Sequence, residues 1–300
     1  MTWWLRKPIV HLYAPCLNEE RMLPFFFRHY ESWVQRFVIY DSGSTDRSLE
    51  ILAARSDVEI RQFPWTDPNS FVLSHQAMQN TCWRESRGIA DWVVVTDIDE
   101  FIVHRRRSMP SYLRWCARRG ITCVPALGYQ MVTDAFPSPG TDLAKVHTRC
   151  VPAWMMSKLR LFDPRCVEPN FGIGAHTAVP SGRVVYPWRD NLLLLHYKDL
   201  GREYRAERNQ LLGAALRDRD RANRWGFHYR TDSAWLDQHF DELDRQLIDL
   251  AAPGYVPWRD HGGRRYWRSG PRRERDAHHP RRSPWYWLWK RARALLRRRH

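Results

Sequence analysis

Short apolar runs alternate with segments of helical periodicity through the first hundred residues. Residues 8–16, β-branched and bounded by Pro8 and Pro15, predict a buried strand. Asn18 is a candidate N-cap for a helix over residues 19–35, where Met22, Leu23, Phe26, Phe27, Tyr30 and Val34 recur at helical spacing and Pro24 falls in the first turns. Residues 36–40 predict a second strand, and Asp46 caps a helix through Ala54. A third strand over 58–62, a helix over 74–87 and a fourth strand over 92–96 follow. The fourth is continuously apolar, as expected of a strand inside a parallel sheet. Strand–helix alternation of this kind predicts an α/β fold with a doubly wound sheet.

The second half changes texture. Residues 121–132, 158–162, 174–179, 184–186 and 192–197 read as short strands separated by Pro, Gly and Asp turns, followed by helices over 200–224 and 232–250. Pro, Gly and Arg then dominate from 253 to 284, which predicts a linker, and residues 285–300 form a last aromatic and basic segment. The expected organisation is one domain over 1–252, a linker over 253–284 and a terminal helix over 285–300.

Charge sharpens that division. The 300 residues carry a formal +15, of which residues 254–300 hold +12, from 15 basic and 3 acidic side chains. The body is therefore close to neutral and 43% hydrophobic residues suffice to build its core. No run approaches the ~20 apolar residues that cross a bilayer. The first eight residues lack the apolar stretch of a secretory signal, so a cytoplasmic body is expected. Six scattered cysteines without a Cys-x-x-Cys pair read as reduced core thiols.

Open α/β sheets bind ligands at the carboxyl ends of their strands. Three polar segments follow predicted strands: Asn18-Glu19-Glu20, the run from Asp41 through Ser44 to Asp46, and Asp97-Ile98-Asp99-Glu100. In an extended segment Asp97 and Asp99 point the same way, so both can face one divalent cation, Mg²⁺ or Mn²⁺, bridging them to a diphosphate. An acidic turn with a capping Asp is the structural alternative. Asp46 or Thr45 serves equally as a helix cap, whereas Asp41, ahead of the turn, is placed to accept hydrogen bonds from a base or ribose.

Pro15-x-x-Asn18-Glu19, the segment Tyr40 to Asp46, and the segment Asp91 to Phe101 together resemble the signature of family 2-like glycosyltransferases with the GT-A fold. The Asp-x-Asp-Glu-Phe run and Leu194-Leu195-His196-Tyr197-Lys198 resemble a bacterial subgroup of them, over about residues 8–210. The resemblance implies a GT-A-type nucleotide-sugar-binding sheet with a strand-rich acceptor half and C-terminal helices. It implies transfer of a sugar, hexosyl-like and inverting, from a nucleotide-sugar donor to a glycan or lipid-linked acceptor for surface polysaccharide or lipopolysaccharide, with Mn²⁺ or Mg²⁺ as cofactor. By position, Asn18, Glu19, Asp41, Ser44 and Asp97 would contact the nucleotide, and Asp97 and Asp99 the metal. A late histidine would complete that set: His196 is favoured for the metal and His176, in a glycine-rich segment, for the substrate cleft. An inverting transfer needs a carboxylate base. The family's Glu-Asp pair is missing here, and Asp134 and Glu168 are the candidates.

In the last segment Trp285, Leu288, Trp289, Ala292 and Leu295 would share one helical face with arginines elsewhere, a pattern suited to an anionic membrane surface and hence to peripheral attachment at the inner face. A solvated tail or a helix docked on the body fits equally. Nucleic-acid binding through the tail is the rival of another class, but it leaves the strand-end carboxylates unexplained. A nucleotidyltransferase would show a Gly/Arg/Lys-rich loop where Asn18-Glu19-Glu20 stands.

Overall fold

The computed structural model describes residues 6–188, 191–229 and 232–261. The 285–300 segment and most of the expected linker lie outside these residues. The first half alternates β1 (Val10–Cys16), α1 (Leu23–Tyr30), β2 (Arg36–Asp41), α2 (Ser48–Ala53), β3 (Val58–Gln62), α3 (Phe71–Thr81) and β4 (Trp92–Val95). These strands are mutually parallel in the order β3-β2-β1-β4, the doubly wound arrangement that the apolar runs predict. Leu12, Ala14, Phe37, Ile39 and Val94 face α1 in one core, and Tyr13, Val38, Val93 and Val95 face α3 in another, so β1, β2 and β4 are buried on both faces while β3 forms the partly exposed edge.

The chain then adds β5 (Glu100–His104), α4 (Met109–Arg118), β6 (Cys123–Thr133), α5 (Leu143–Val146), β7 (Arg149–Pro152), β8 (Lys158–Phe162), β9 (Val167–Glu168), β10 (Ser181–Gly182) and β11 (Leu192–Leu200). Helices α6 (Arg202–Ala215), α7 (Asp218–Ala222) and α8 (Ser233–Gln246) and strand β12 (Ile248–Asp249) follow. Strand β8 joins the halves, antiparallel to β4 on one side and to β6 on the other. Eleven-residue β6 also pairs with β7 and, in parallel, with β11, whose other edge takes β5. At Gly128 a Cβ would stand 2.2 Å from the Met156 carbonyl carbon, so only glycine lets that backbone cross β6.

Several expected elements differ. The helix expected over 19–35 is confined to Leu23–Tyr30, because Ser48 and Asp46 side chains hold the Glu19 and Glu20 N–H groups and Pro24 starts the helix. Residues 174–179 form a short turn with Gly174 at φ 60° and a single bridge from Phe171 to Ala178, and 184–186 are not a strand. The helix expected over 200–224 divides at Leu216, whose extended ψ of 138° carries the chain into α7. Strand β5 and helix α4 went unrecognised, although Ser108 before Met109-Pro110 is a helix-start signal. Tyr255 and His261, inside the segment expected as a linker, pack on β6: His261 Nε2 lies 2.9 Å from the Gly128 carbonyl and the Tyr255 and Tyr129 hydroxyls 3.0 Å apart. Among the described residues no helix is long and apolar enough to cross a membrane.

The break after α6 has a physical cause. Asp220, fully buried, accepts hydrogen bonds from Ser70 Oγ (2.5 Å), the Phe71 and Val72 N–H groups (2.9 and 3.3 Å) and the Arg217 N–H (3.0 Å). One carboxylate thus caps two helix starts and sits at the positive end of α3. Asp220→Ala strands those donors and should cost about 3 kcal/mol, read as a lower urea midpoint. An unchanged midpoint would show that this carboxylate does not hold α7 to α3.

Candidate functional site

The loops after β1 and β2 are stitched together by side chains. Asn18, at φ 50°, is not a helix cap; its Oδ1 accepts from the Thr45 N–H (2.7 Å) and the Asp46 N–H (3.3 Å). Ser44 Oγ accepts from the Asn18 N–H at 2.9 Å. Asp41 turns into its own loop, taking the Gly43 and Ser44 N–H groups at 3.0 and 3.2 Å, and Gly43 at φ 109° makes that turn possible. Asp46 lies one residue ahead of the N-cap of α2, Arg47, and from there its Oδ1 receives the Ser48 N–H at 2.9 Å. Glu19 is buried and points at α6, where Arg208 Nη2 reaches its Oε1 at 2.5 Å and Nη1 donates to the Leu17 and Asn18 carbonyls.

Beside these loops opens a cavity of about 600 Å³, within the range of small-ligand sites. Asn18, Ser42, Gly43 and Thr45 line one wall, Trp65 and Phe71 another, and Arg217 closes it with its guanidinium 3.9 Å from the Trp65 ring centre. Phe71 stacks on His75 at 5.6 Å, and His75 Nε2 lies 3.4 Å from Asp97 Oδ1, so the cavity and the acidic segment are neighbours.

The acidic segment departs from the extended geometry expected of it. After Val95 the chain turns, closed by the Glu100 N–H on the Asp97 carbonyl (3.1 Å), and the two aspartates meet different partners. Asp97 Oδ2 accepts from Arg160 Nη2 at 2.8 Å. The same Nη2 is 2.7 Å from Glu100 Oε2, while Lys158 Nζ is 2.7 Å from Glu100 Oε1. Arg160, Lys158 and Glu100 are all buried. Burial alone would neutralise these acids; the Arg160 charge overcomes it, with His75 at Asp97 and Lys158 at Glu100, and holds both carboxyls below the usual carboxylate range. Asp99 instead faces His196, Oδ2 to Nε2 3.3 Å, and His196 overcomes burial to hold Asp99 near 2.

The orientation of His196 follows from its neighbours. Gln130 Nε2 donates to Asp199 Oδ2 at 2.5 Å, which turns Gln130 Oε1 to His196 Nδ1 at 2.7 Å. Nδ1 must then carry the hydrogen, leaving Nε2 directed at the Asp99 carboxylate. Two electron-rich atoms so close call for a positive particle, either a proton on Nε2 or a cation that both ligate. Asp97 Oδ1 is also buried with no well-aligned hydrogen-bond donor, its neighbour being His75 Nε2 at 3.4 Å. Among the described residues no three Asp, Glu, His or Cys side chains form a closed metal site. An open carboxylate–imidazole pair nevertheless fits a hard divalent cation whose remaining ligands come from phosphate oxygens.

His176 joins the rim of this cluster. Its Nδ1 is 2.8 Å from the Met155 carbonyl, Gly174 lies against its ring, and the Lys158 charge with burial holds it down to about 3, so the imidazole is neutral. Lys198, buried with Nζ 4.5 Å from the Tyr229 ring centre, is lowered by burial and Arg205 to about 7. Neither expected base reaches the cluster. The Asp134 side chain is 90% exposed and 3.7 Å from Arg149, while Glu168 is held by Arg87 and Arg84, which precede β4 and lie at the opposite end of that strand from Asp97. Sequence reasoning missed His75, Gln130, Lys158, Arg160, Trp65 and Arg217; the alternation of cations and apolar residues in Lys158-Leu159-Arg160-Leu161 was a signal for two of them.

Residues 14–156 match the family model for glycosyltransferase family 92. The motifs pointed to family 2-like enzymes, and what the match shares with that expectation is glycosyl transfer. No curated protein matches the chain. Among solved structures, glucosyl-3-phosphoglycerate synthase from Mycobacterium tuberculosis with Mn²⁺, UDP and glucosyl-3-phosphoglycerate is similar at 19% identity, with a TM-score of 0.27 and coverage of 40% of this chain and 44% of that one. The same enzyme with Mn²⁺ and UDP-glucose gives 20%, 0.28, 40% and 44%, and a mycobacterial protein gives 18%, 0.28, 41% and 41%. The chain spans less than half the length of these structures.

The cluster fixes the acid limit of stability. Asp99 is held near 2 by His196 against burial, and Asp199 near 2 by Arg205 and His239 against burial, compared with about 3.9 in an unfolded chain. Depressed carboxyls contribute stability that is complete above about pH 4 and is lost as pH falls toward 2. Urea midpoints measured from pH 6 to pH 2.5 should therefore stay level and then fall below about pH 4. A midpoint that rises on acidification would contradict the arrangement.

Proposed function

We propose that the chain is a nucleotide-sugar-dependent glycosyltransferase whose donor lies across the carboxyl ends of β1, β2 and β4. The observation that carries this reading is the Asp99–His196 pair, built at the end of a parallel sheet and neighbouring, through Phe71, His75 and Asp97, a 600 Å³ cavity lined by Trp65. The match of residues 14–156 to a glycosyltransferase family supports it.

In this reading the base enters the cavity and stacks against Trp65 or Phe71, and the Asn18 and Ser42–Thr45 loops face the ribose. Asp41 acts by holding the turn that places Gly43 and Ser44. Asp99 and His196 would hold Mn²⁺ or Mg²⁺ together with the diphosphate. That cation supplies charge neutralisation of the leaving nucleotide. Arg160 and Lys158 keep the acids ionised and in place, and Gln130 keeps the His196 lone pair aimed at the cation. His176, neutral at its Nε2, lines the acceptor side. A glycan or lipid-linked acceptor, inverting hexosyl transfer and a role in surface polysaccharide or lipopolysaccharide synthesis belong to the same proposal. So do the peripheral attachment through residues 285–300 and the division into a catalytic domain, a linker and a terminal helix.

Calorimetric titration with UDP, GDP, dTDP and CDP, with and without Mn²⁺, tests the reading. One nucleotide should bind only with metal, Asp99→Ala should abolish that dependence, and Trp65→Ala should weaken binding about tenfold through lost stacking. A folded protein that binds none of the four would refute it.

A further inference from the structure

The densest unbalanced charge among the described residues lies away from this site. Strand β5 leaves Glu100 and runs about 13 Å to His104, where the chain carries Arg105, Arg106 and Arg107 into α4. Helix α4 adds Arg114, and Arg118 and Arg119 stand at its end. Five of the six are exposed and Arg114 is half-buried. From residue 101 to residue 133 the sequence holds no Asp or Glu.

Among the described residues their contacts are with neutral groups. Arg105 donates to the Tyr255 and Leu250 carbonyls, Arg114 to Ser111 Oγ, and Arg107 and Arg119 lie 5.8 and 5.7 Å from the Trp115 ring centre. Elsewhere arginines meet carboxylates, as Arg36, Arg55, Arg61 and Arg165 do. Three arginines ahead of a helix also face its positive end, the wrong sign for helix stability. An external anion relieves both costs at once.

We propose that the α4 face and the turn before it dock on the anionic headgroups of a bilayer surface. Two features favour lipid over a nucleic acid. Tyr112 is buried, Trp115 is half-buried, and the two rings stack on each other at 5.8 Å, so the aromatic rings among these arginines are already paired and leave no open platform for a base. The last described residue is also close by: Arg105 holds the Tyr255 carbonyl six residues before His261, after which the sequence has 14 basic and 2 acidic residues with Trp285, Trp287 and Trp289 among them. A polybasic face and a segment of that composition in the same chain supply the two signals that stable attachment needs.

The test is flotation of the full chain with phosphatidylcholine vesicles and with vesicles containing 30% phosphatidylglycerol (about one charged lipid in three). Binding is expected only to the charged vesicles and should weaken as salt rises. The triple variant Arg106→Gln, Arg118→Gln, Arg119→Gln should lower partitioning about 100-fold at low salt, a few-fold for each cation. Its thermal melt and donor-nucleotide binding should stay unchanged, since none of the three touches the cavity or the acidic cluster. Undiminished partitioning of the variant would overturn the proposal. So would binding to duplex or single-stranded nucleic acid that the variant loses, with no binding to either vesicle.

Discussion

A carboxylate buried at the end of a parallel strand stays ionised only where fixed cations face it, and the turn after β4 depends on that condition. Asp97 and Glu100 share one guanidinium, Arg160, which is fully buried and cannot lose its proton. Lys158 takes the remaining Glu100 oxygen. Both cations lie on β8, which runs antiparallel to β4, so the strand that joins the halves of the sheet also carries the counter-charges of the site. Replacing the set by apolar residues of equal volume would suit folding at least as well. The ionic form is retained at a strand end where it presents Asp97 and Asp99 as anions to whatever approaches.

Strand β6 extends the same logic into the second half. It pairs with β8 near Cys123 and with β11 near Gln130, and through Gln130 it sets the His196 ring. Asp199 anchors Gln130 and is itself held by Arg205 of α6 and His239 of α8. Helix α6 reaches back through Arg208 to the loop after β1. Helices that the sequence places last are thereby tied to the first strand and to the histidine, and the site closes only when both halves are assembled.

The legible part of this architecture is the part written in local period. Continuous apolar runs identified β1, β2 and β4, and polar residues just after them identified the loops that meet at the site. Asn18, Asp41, Ser44, Asp97, Asp99 and His196 do converge there, although Asn18 bridges loops where a helix cap was expected and the two aspartates diverge across a turn where alternation put them on one face. What local period does not encode is partnership across long separations. Arg160 meets Asp97 across 63 residues and Arg208 meets Glu19 across 189. The same limit explains Asp134 and Glu168, expected from residue type and from their places after Thr133 and before Gly174: Asp134 is exposed near Arg149, and Glu168 is held by Arg84 and Arg87.

The charge balance of the assembled site bears on its chemistry. Glu19, Asp97, Asp99, Glu100 and Asp199 stand against Lys158, Lys198, Arg205, Arg208 and Arg160, five of each sign, and every one of the cations is buried. Burial and Arg205 lower Lys198 to about 7 while burial raises Glu19 to about 8, so the two partial losses offset and the balance stays close to neutral near pH 7. A diphosphate entering such a site meets little surplus of positive charge, because Lys158, Arg160, Arg205 and Arg208 are each already paired with a carboxylate. Under the proposed function, a donor of that kind would become favourable with a divalent cation held between Asp99 and His196, whose carboxylate oxygen and imidazole nitrogen lie 3.3 Å apart.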